Sequence, residues 1–119
     1  MTSCETFDKI VVLSLRDLQL TEVFKYLGRC ANLQILFVSG NQIGRDDFTK
    51  HLHHVKSVKK LDLSANSLDS LPKEPALFAK MVSLQFLCLD KNNIASVSRI
   101  RGLKGAPNLR YLSLQGNPI

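Results

Sequence analysis

The sequence lacks the motifs around which catalytic sites are usually built. It has no Gly-x-Ser-x-Gly, no P-loop, no G-x-G-x-x-G and no H-E-x-x-H, so no nucleophile elbow, phosphate cradle or metal-binding helix is spelled out. A non-enzymatic protein without a small-molecule substrate or cofactor is expected. Long apolar runs are also missing, and none approaches the ~20 residues that a membrane span needs. The segment from Met1 to Lys9 is polar, carries Glu5 and Asp8, and has no secretory-signal pattern. Cysteine is scarce and odd in number. Cys4, Cys30 and Cys88 form neither a disulfide framework nor a zinc spacing, which points to a reducing, cytoplasmic setting.

What is present is an ordinary globular composition. The 119 residues are 45% hydrophobic and 22% charged, enough for one domain with a modest core. The net charge of +6 suits acidic partners of any kind without choosing among them.

The strongest signal is internal repetition. Four segments, starting at Leu33, Val58, Leu84 and Leu109, each read apolar-x-x-Leu-x-apolar-x-x-Asn-x-apolar, at intervals of 25, 26 and 25. A weaker copy starts 23 residues upstream at Ile10 and carries Leu18 where the others carry Asn41, Asn66, Asn92 and Asn117. Alternation along a short strand turns Leu36 and Val38, Leu61 and Leu63, Leu87 and Leu89, and Leu112 and Leu114 inward. An Asn amide has two donors and an acceptor for the backbone of adjacent turns, so the four asparagines are expected to form a structural ladder. Between strands, apolar spacing predicts helices over Thr21–Arg29, Asp46–Lys56, Ala76–Met81 and Val97–Leu103, the last followed by a Gly105–Pro107 turn.

These residues resemble the leucine-rich-repeat family, and the resemblance covers Ile10 to Ile119. It implies an α/β solenoid of about five repeats, with a parallel concave sheet and short convex helices. Residues 1–9 are then an N-terminal flank, five repeats run from 10 to 119, and no C-terminal cap follows Gly116-Asn117-Pro118-Ile119. Such an ending is expected of a piece of a longer protein, because terminal repeats need a polar cover. Leu61-Asp-Leu-x-x-Asn66-x-Leu-x-Ser-Leu71-Pro72 and Asn108-Leu-Arg-Tyr-Leu-x-Leu-x-Gly-Asn117-Pro118-Ile119 are similar to intracellular, cytoskeletal and ciliary members. That similarity implies a scaffolding role.

The same alternation that buries the leucines exposes the residues between them. One column reads Val12, Ile35, Lys60, Phe86, Tyr111; the next reads Ser14, Phe37, Asp62, Cys88, Ser113; a third reads Arg16, Ser39, Ser64, Asp90, Gln115. Contiguous apolar and aromatic surface marks a partner site on a soluble protein. The candidate residues are Val12, Ile35, Phe37, Lys60, Asp62, Phe86 and Tyr111, with Ile35, Phe37, Phe86 and Tyr111 wet in the free protein. The bland alternative is that these side chains cover one another or pack under a missing flank.

Other features favour bland readings. His51, His53 and His54 have no well-placed acidic or thiol neighbour for a metal and are expected to face solvent opposite Phe48, Leu52 and Val55. Cys88 is expected to be a passive surface thiol and Cys30 a small core residue. Most cations fall on the convex side or in loops, away from the concave aromatics, so nucleic-acid binding is not expected. The leading function is a protein-interaction scaffold or adaptor that binds a protein partner on its concave strand face, as part of a larger intracellular protein or assembly. The alternatives are a structural part of a ciliary, axonemal or other cytoskeletal complex, and a ribonucleoprotein adaptor using the basic surface.

Overall fold

The computed structural model describes residues 7–119; Cys4 and Glu5 lie outside them. Five three-residue strands, β1 (Val12–Ser14), β2 (Ile35–Phe37), β3 (Lys60–Asp62), β4 (Phe86–Cys88) and β5 (Tyr111–Ser113), make one sheet in chain order. All four pairings are parallel, and Leu13, Leu36, Leu61, Leu87 and Leu112 stand opposite one another. The strands stay short because the chain turns out of the sheet soon after each. Asp17, Gly40, Ala65, Lys91 and Gly116 all have positive φ, between 53° and 75°, and each directly precedes the Asn position or Leu18. Five repeats use one turn, although only two of the five residues are glycine.

Leu36, Val38, Leu61, Leu63, Leu87 and Leu89 are completely buried. They meet a spine of phenylalanines from the far side. Phe24 and Phe48 lie 5.1 Å apart edge-to-face, and Phe48 and Phe78 lie 6.1 Å apart. Each ring comes from a different repeat, so one strand and its return segment cannot bury the apolar surface alone. Leu112, on the edge strand, keeps 38% of its surface exposed, and Leu114 is half-buried.

The return segments are less helical than their apolar spacing predicts. Thr21–Arg29 contains only a 3₁₀ turn, Phe24–Tyr26. Asp46–Lys56 divides into helix α1 (Arg45–His51) and a 3₁₀ turn at Leu52–Val55, with the break at His51, whose φ is −122°. The third segment is a single turn, α2 (Pro75–Phe78). The fourth is 3₁₀ over Val97–Gly105, kinked at Ile100, and Val97 is exposed rather than part of the apolar face. Contacts between repeats account for this. The Asp47 carboxylate, 8% exposed, accepts hydrogen bonds from the backbone amides of Val23, Phe24 and Lys25 one repeat earlier, at 2.7, 2.9 and 3.3 Å. A Cβ on Gly102 or Gly105 would come within 2.0 Å of the carbonyl oxygen of Pro72 or Pro75, so the fourth segment packs backbone to backbone against the third.

Candidate functional site

Sheet register determines what lies on the open face. Val12, Ile35, Lys60, Phe86 and Tyr111 are successive register partners, and so are Ser14, Phe37, Asp62, Cys88 and Ser113. The seven candidate residues therefore share one face. Their side chains are more engaged with each other than alternation alone suggests. Ile35, Phe37 and Phe86 are half-buried, not wet, while Val12 and Tyr111 are about half exposed at 53% and 51%.

The engagement is a row of cations and rings. The Arg16 guanidinium carbon sits 4.2 Å from the centre of the Phe37 ring. The Lys60 ammonium lies 5.6 Å from the same centre and 4.8 Å from that of Phe86. Phe86 and Tyr111 stack 4.3 Å apart at an interplanar angle of 3°. A cation above a ring face is held by the ring quadrupole with about 0.5–1 kcal/mol at exposed sites. Arg16 belongs to the row although it lies outside the columns of Val12 and Ser14. Its place two residues after Ser14 is the sequence signal, and its contact with Phe37 crosses between repeats. Arg16 and Lys60 are thus exceptions to the expected separation of cations from aromatics.

The carboxylates of this face are occupied locally. Asp62 accepts the Ser64 amide at 3.0 Å. Asp90 accepts the Gln115 amide at 2.8 Å and the Ser113 hydroxyl. Burial works against the Asp90 charge, yet the hydrogen bonds from Ser113, Gln115 and Cys88 hold its carboxyl below the usual range. Cys88 is half-buried, and burial pushes its thiol up, away from thiolate. Cys30 is a buried free thiol, also raised by burial.

The four asparagines lie at the turns behind this face. The Asn66 amide donates to the carbonyls of Val38 and Leu63, and its oxygen accepts the Ile43 amide. Asn92 bonds Leu63, Leu89 and Leu68 in the same way, and Asn117 bonds Leu89, Leu114 and Ile94. Asn41 donates to Leu15 and Val38 and accepts from the amides of Leu18 and Leu20. It thereby serves the repeat that has leucine in place of asparagine.

On the opposite side, His54 departs from its expected solvent-facing role. Its Nδ1 lies 3.0 Å from the Phe24 carbonyl oxygen, so that nitrogen carries the proton. The rings of His53 and His54 are 4.2 Å apart, and those of His51 and His54 are 5.4 Å apart. Among the described residues, no group of three or more His, Cys, Asp or Glu is placed to hold a metal ion. A groove of about 410 Å³ opens near the start of α1, away from the sheet face, and includes Glu22, Asp46, Asp47 and Asp69 with Arg45. No helix among the described residues is long and apolar enough to cross a membrane.

Comparison with known proteins follows the repeat. Residues 31–94 and 56–119 match the family model described as "Leucine rich repeat". The chain is 32% identical over 121 residues to an adenylate cyclase of Schizosaccharomyces pombe, covering 98% of this chain and 7% of that protein. It is 29% identical to tubulin-specific chaperone E of Danio rerio, covering 95% and 22%, and 34% identical to mouse lumican, covering 89% and 31%. A leucine-rich-repeat protein structure from Leptospira interrogans superposes with a TM-score of 0.78 at 29% identity, over 98% of this chain and 28% of that one. An internalin from Listeria monocytogenes shares the fold, with a TM-score of 0.66 at 16% identity over 96% and 37%. The chain therefore spans less than a third of the length of each curated relative named here.

Proposed function

Because the chain belongs to the leucine-rich-repeat family, whose members generally mediate protein–protein interaction, we propose that it is a non-catalytic interaction scaffold that holds a protein partner on its open sheet face. The observation that carries this reading is the row of Arg16, Phe37, Lys60, Phe86 and Tyr111 across the strands. Aromatic and arginine side chains supply most binding energy at interfaces. Here they lean on one another across the strands, so less side-chain freedom is lost when a partner docks. The adenylate cyclase match extends over 7% of that enzyme, so its activity is not carried over.

The test is affinity capture from cell extract with three proteins: wild type, Phe37→Ala/Phe86→Ala, and a control with Lys50→Glu/Lys56→Glu on the helical side. Circular dichroism first checks that all three fold. Partners lost with the aromatic variant and kept with the control support the reading. Partners lost only with the control place binding on the helical side instead. A cytoskeletal setting is the second reading, favoured by the relative named for tubulin. Co-sedimentation with assembled microtubules tests it, and wild-type protein left in the supernatant counts against it.

A further inference from the structure

Resting on the reading of the sheet face as a docking surface, we infer that its occupant is an acidic peptide segment, with carboxylates paired to Arg16 and Lys60 and a neighbouring ring or apolar side chain against Tyr111. The argument is one of charge on this face. Among the described residues the one ion pair is Lys25–Glu22, which is distant from the row. Among the described residues, Arg16 and Lys60 have no carboxylate within ion-pair distance, although both lie over the single ring of Phe37. The two acids that share the face each accept a backbone amide instead of pairing with Arg16 or Lys60, Asp62 from Ser64 and Asp90 from Gln115. Two like charges thus lie over one ring without an ion-pair partner among the described residues. A carboxylate brought to either cation supplies the ion-pair partner that it lacks.

Geometry adds selectivity. The guanidinium of Arg16 lies against Phe37 rather than sweeping through solvent, so its planar fork of donors is held in advance for two-point bonding to a carboxylate. Tyr111, about half exposed and stacked on Phe86, offers a free aromatic surface on the next strands. The protein's overall charge of +6 has the same sign and draws an acidic segment toward it. A nucleic acid also carries negative charge, but Asp62 and Asp90 beside the row repel a continuous phosphate backbone, whereas a peptide can place its few carboxylates selectively.

The experiment uses three labelled decapeptides with the same central Phe-Tyr pair in a Gly/Ser background, carrying two flanking residues that are both Glu, both Gln or both Lys. Binding is followed by fluorescence anisotropy, and the contacted residues by amide chemical-shift mapping. The Glu peptide is expected to bind at least about tenfold tighter than the Gln peptide at low salt and to weaken as salt is added. Its shifts are expected on β1 to β5. Arg16→Gln/Lys60→Gln is expected to abolish the difference between the Glu and Gln peptides, and Arg16→Lys to reduce it. Equal binding of the Glu and Gln peptides to the sheet face overturns the acidic inference and leaves the docking surface standing. Glu-peptide shifts confined to the helical side overturn both. Absence of binding by all three peptides also overturns the acidic inference.

Discussion

Asn92 illustrates how much one side chain does in this fold. It is 8% exposed, and its amide bridges the carbonyls of Leu63 and Leu89 while its oxygen holds the Leu68 amide. Truncation leaves those buried backbone groups unpaired, each at about 1–3 kcal/mol. Asn92→Ala is therefore expected to lower unfolding free energy by about 3 kcal/mol in urea titration, and a loss under 1 kcal/mol contradicts the bridging role. The turn residue one position earlier in each repeat makes the opposite kind of prediction. Ala65 has a φ of 53°, a left-handed conformation that costs a residue with a Cβ about 1–2 kcal/mol. Glycine removes that strain but loses more backbone entropy, about 0.5–1 kcal/mol. Ala65→Gly is thus expected to stabilise by about 0.5 kcal/mol. Gly40→Ala reverses the sign and does more harm, because its Cβ would also come within 1.8 Å of Asp17 Oδ1. Comparing urea midpoints of the two variants tests both directions.

At the scale of elements, strands and return segments differ in how far they can be read from sequence. The inward leucines, the register columns and the asparagine positions follow from spacing alone, because period-two alternation and a 25-residue repeat leave little choice. Helix form does not follow, since it depends on groups in the neighbouring repeat. Asp47 reads locally as a helix-start acid, yet its carboxylate anchors the 3₁₀ turn at Phe24–Tyr26, and only the repeat-length offset between them hints at it. The cation–ring row was half legible for the same reason. Its columns follow from register, whereas the lean of Arg16 over Phe37 depends on side-chain direction between strands. Gly102 likewise reads as an unfavourable residue in an apolar segment, although the Pro72 carbonyl leaves no room for a Cβ. Gly102→Ala is expected to destabilise by about 1–3 kcal/mol through forced backbone displacement. Hydrogen exchange should show faster opening across Pro75–Phe78 and Val97–Gly105, with β1 and β2 less affected. Uniform acceleration across all five repeats contradicts that localisation.

For the whole molecule, His53 gives stability a direction with pH. Burial and then the charges of His54, His51, Lys80 and Lys56 hold His53 below the ordinary histidine range. The unfolded chain therefore takes up a proton before the folded chain does. Stability from this source is complete above the unfolded value near 6.5 and is lost as pH falls from there through the lower, folded value. Asp90 acts in the same direction in a more acidic window: its depressed folded value means that stability is present above the ordinary carboxylate range and lost as the acid is protonated. Of these two groups His53 is the one that acts between pH 8 and 5, because Asp90 stays ionised in both states. Thermal unfolding at constant ionic strength should show a falling midpoint as pH drops from 7.5 to 5.5, and His53→Gln should flatten that slope by removing a group whose protonation the fold disfavours. Raising salt should also flatten it, since His53 is exposed and the repulsion among the imidazoles and lysines is screened. A wild-type slope that neither the substitution nor the salt changes would show that the pH dependence arises elsewhere in the chain.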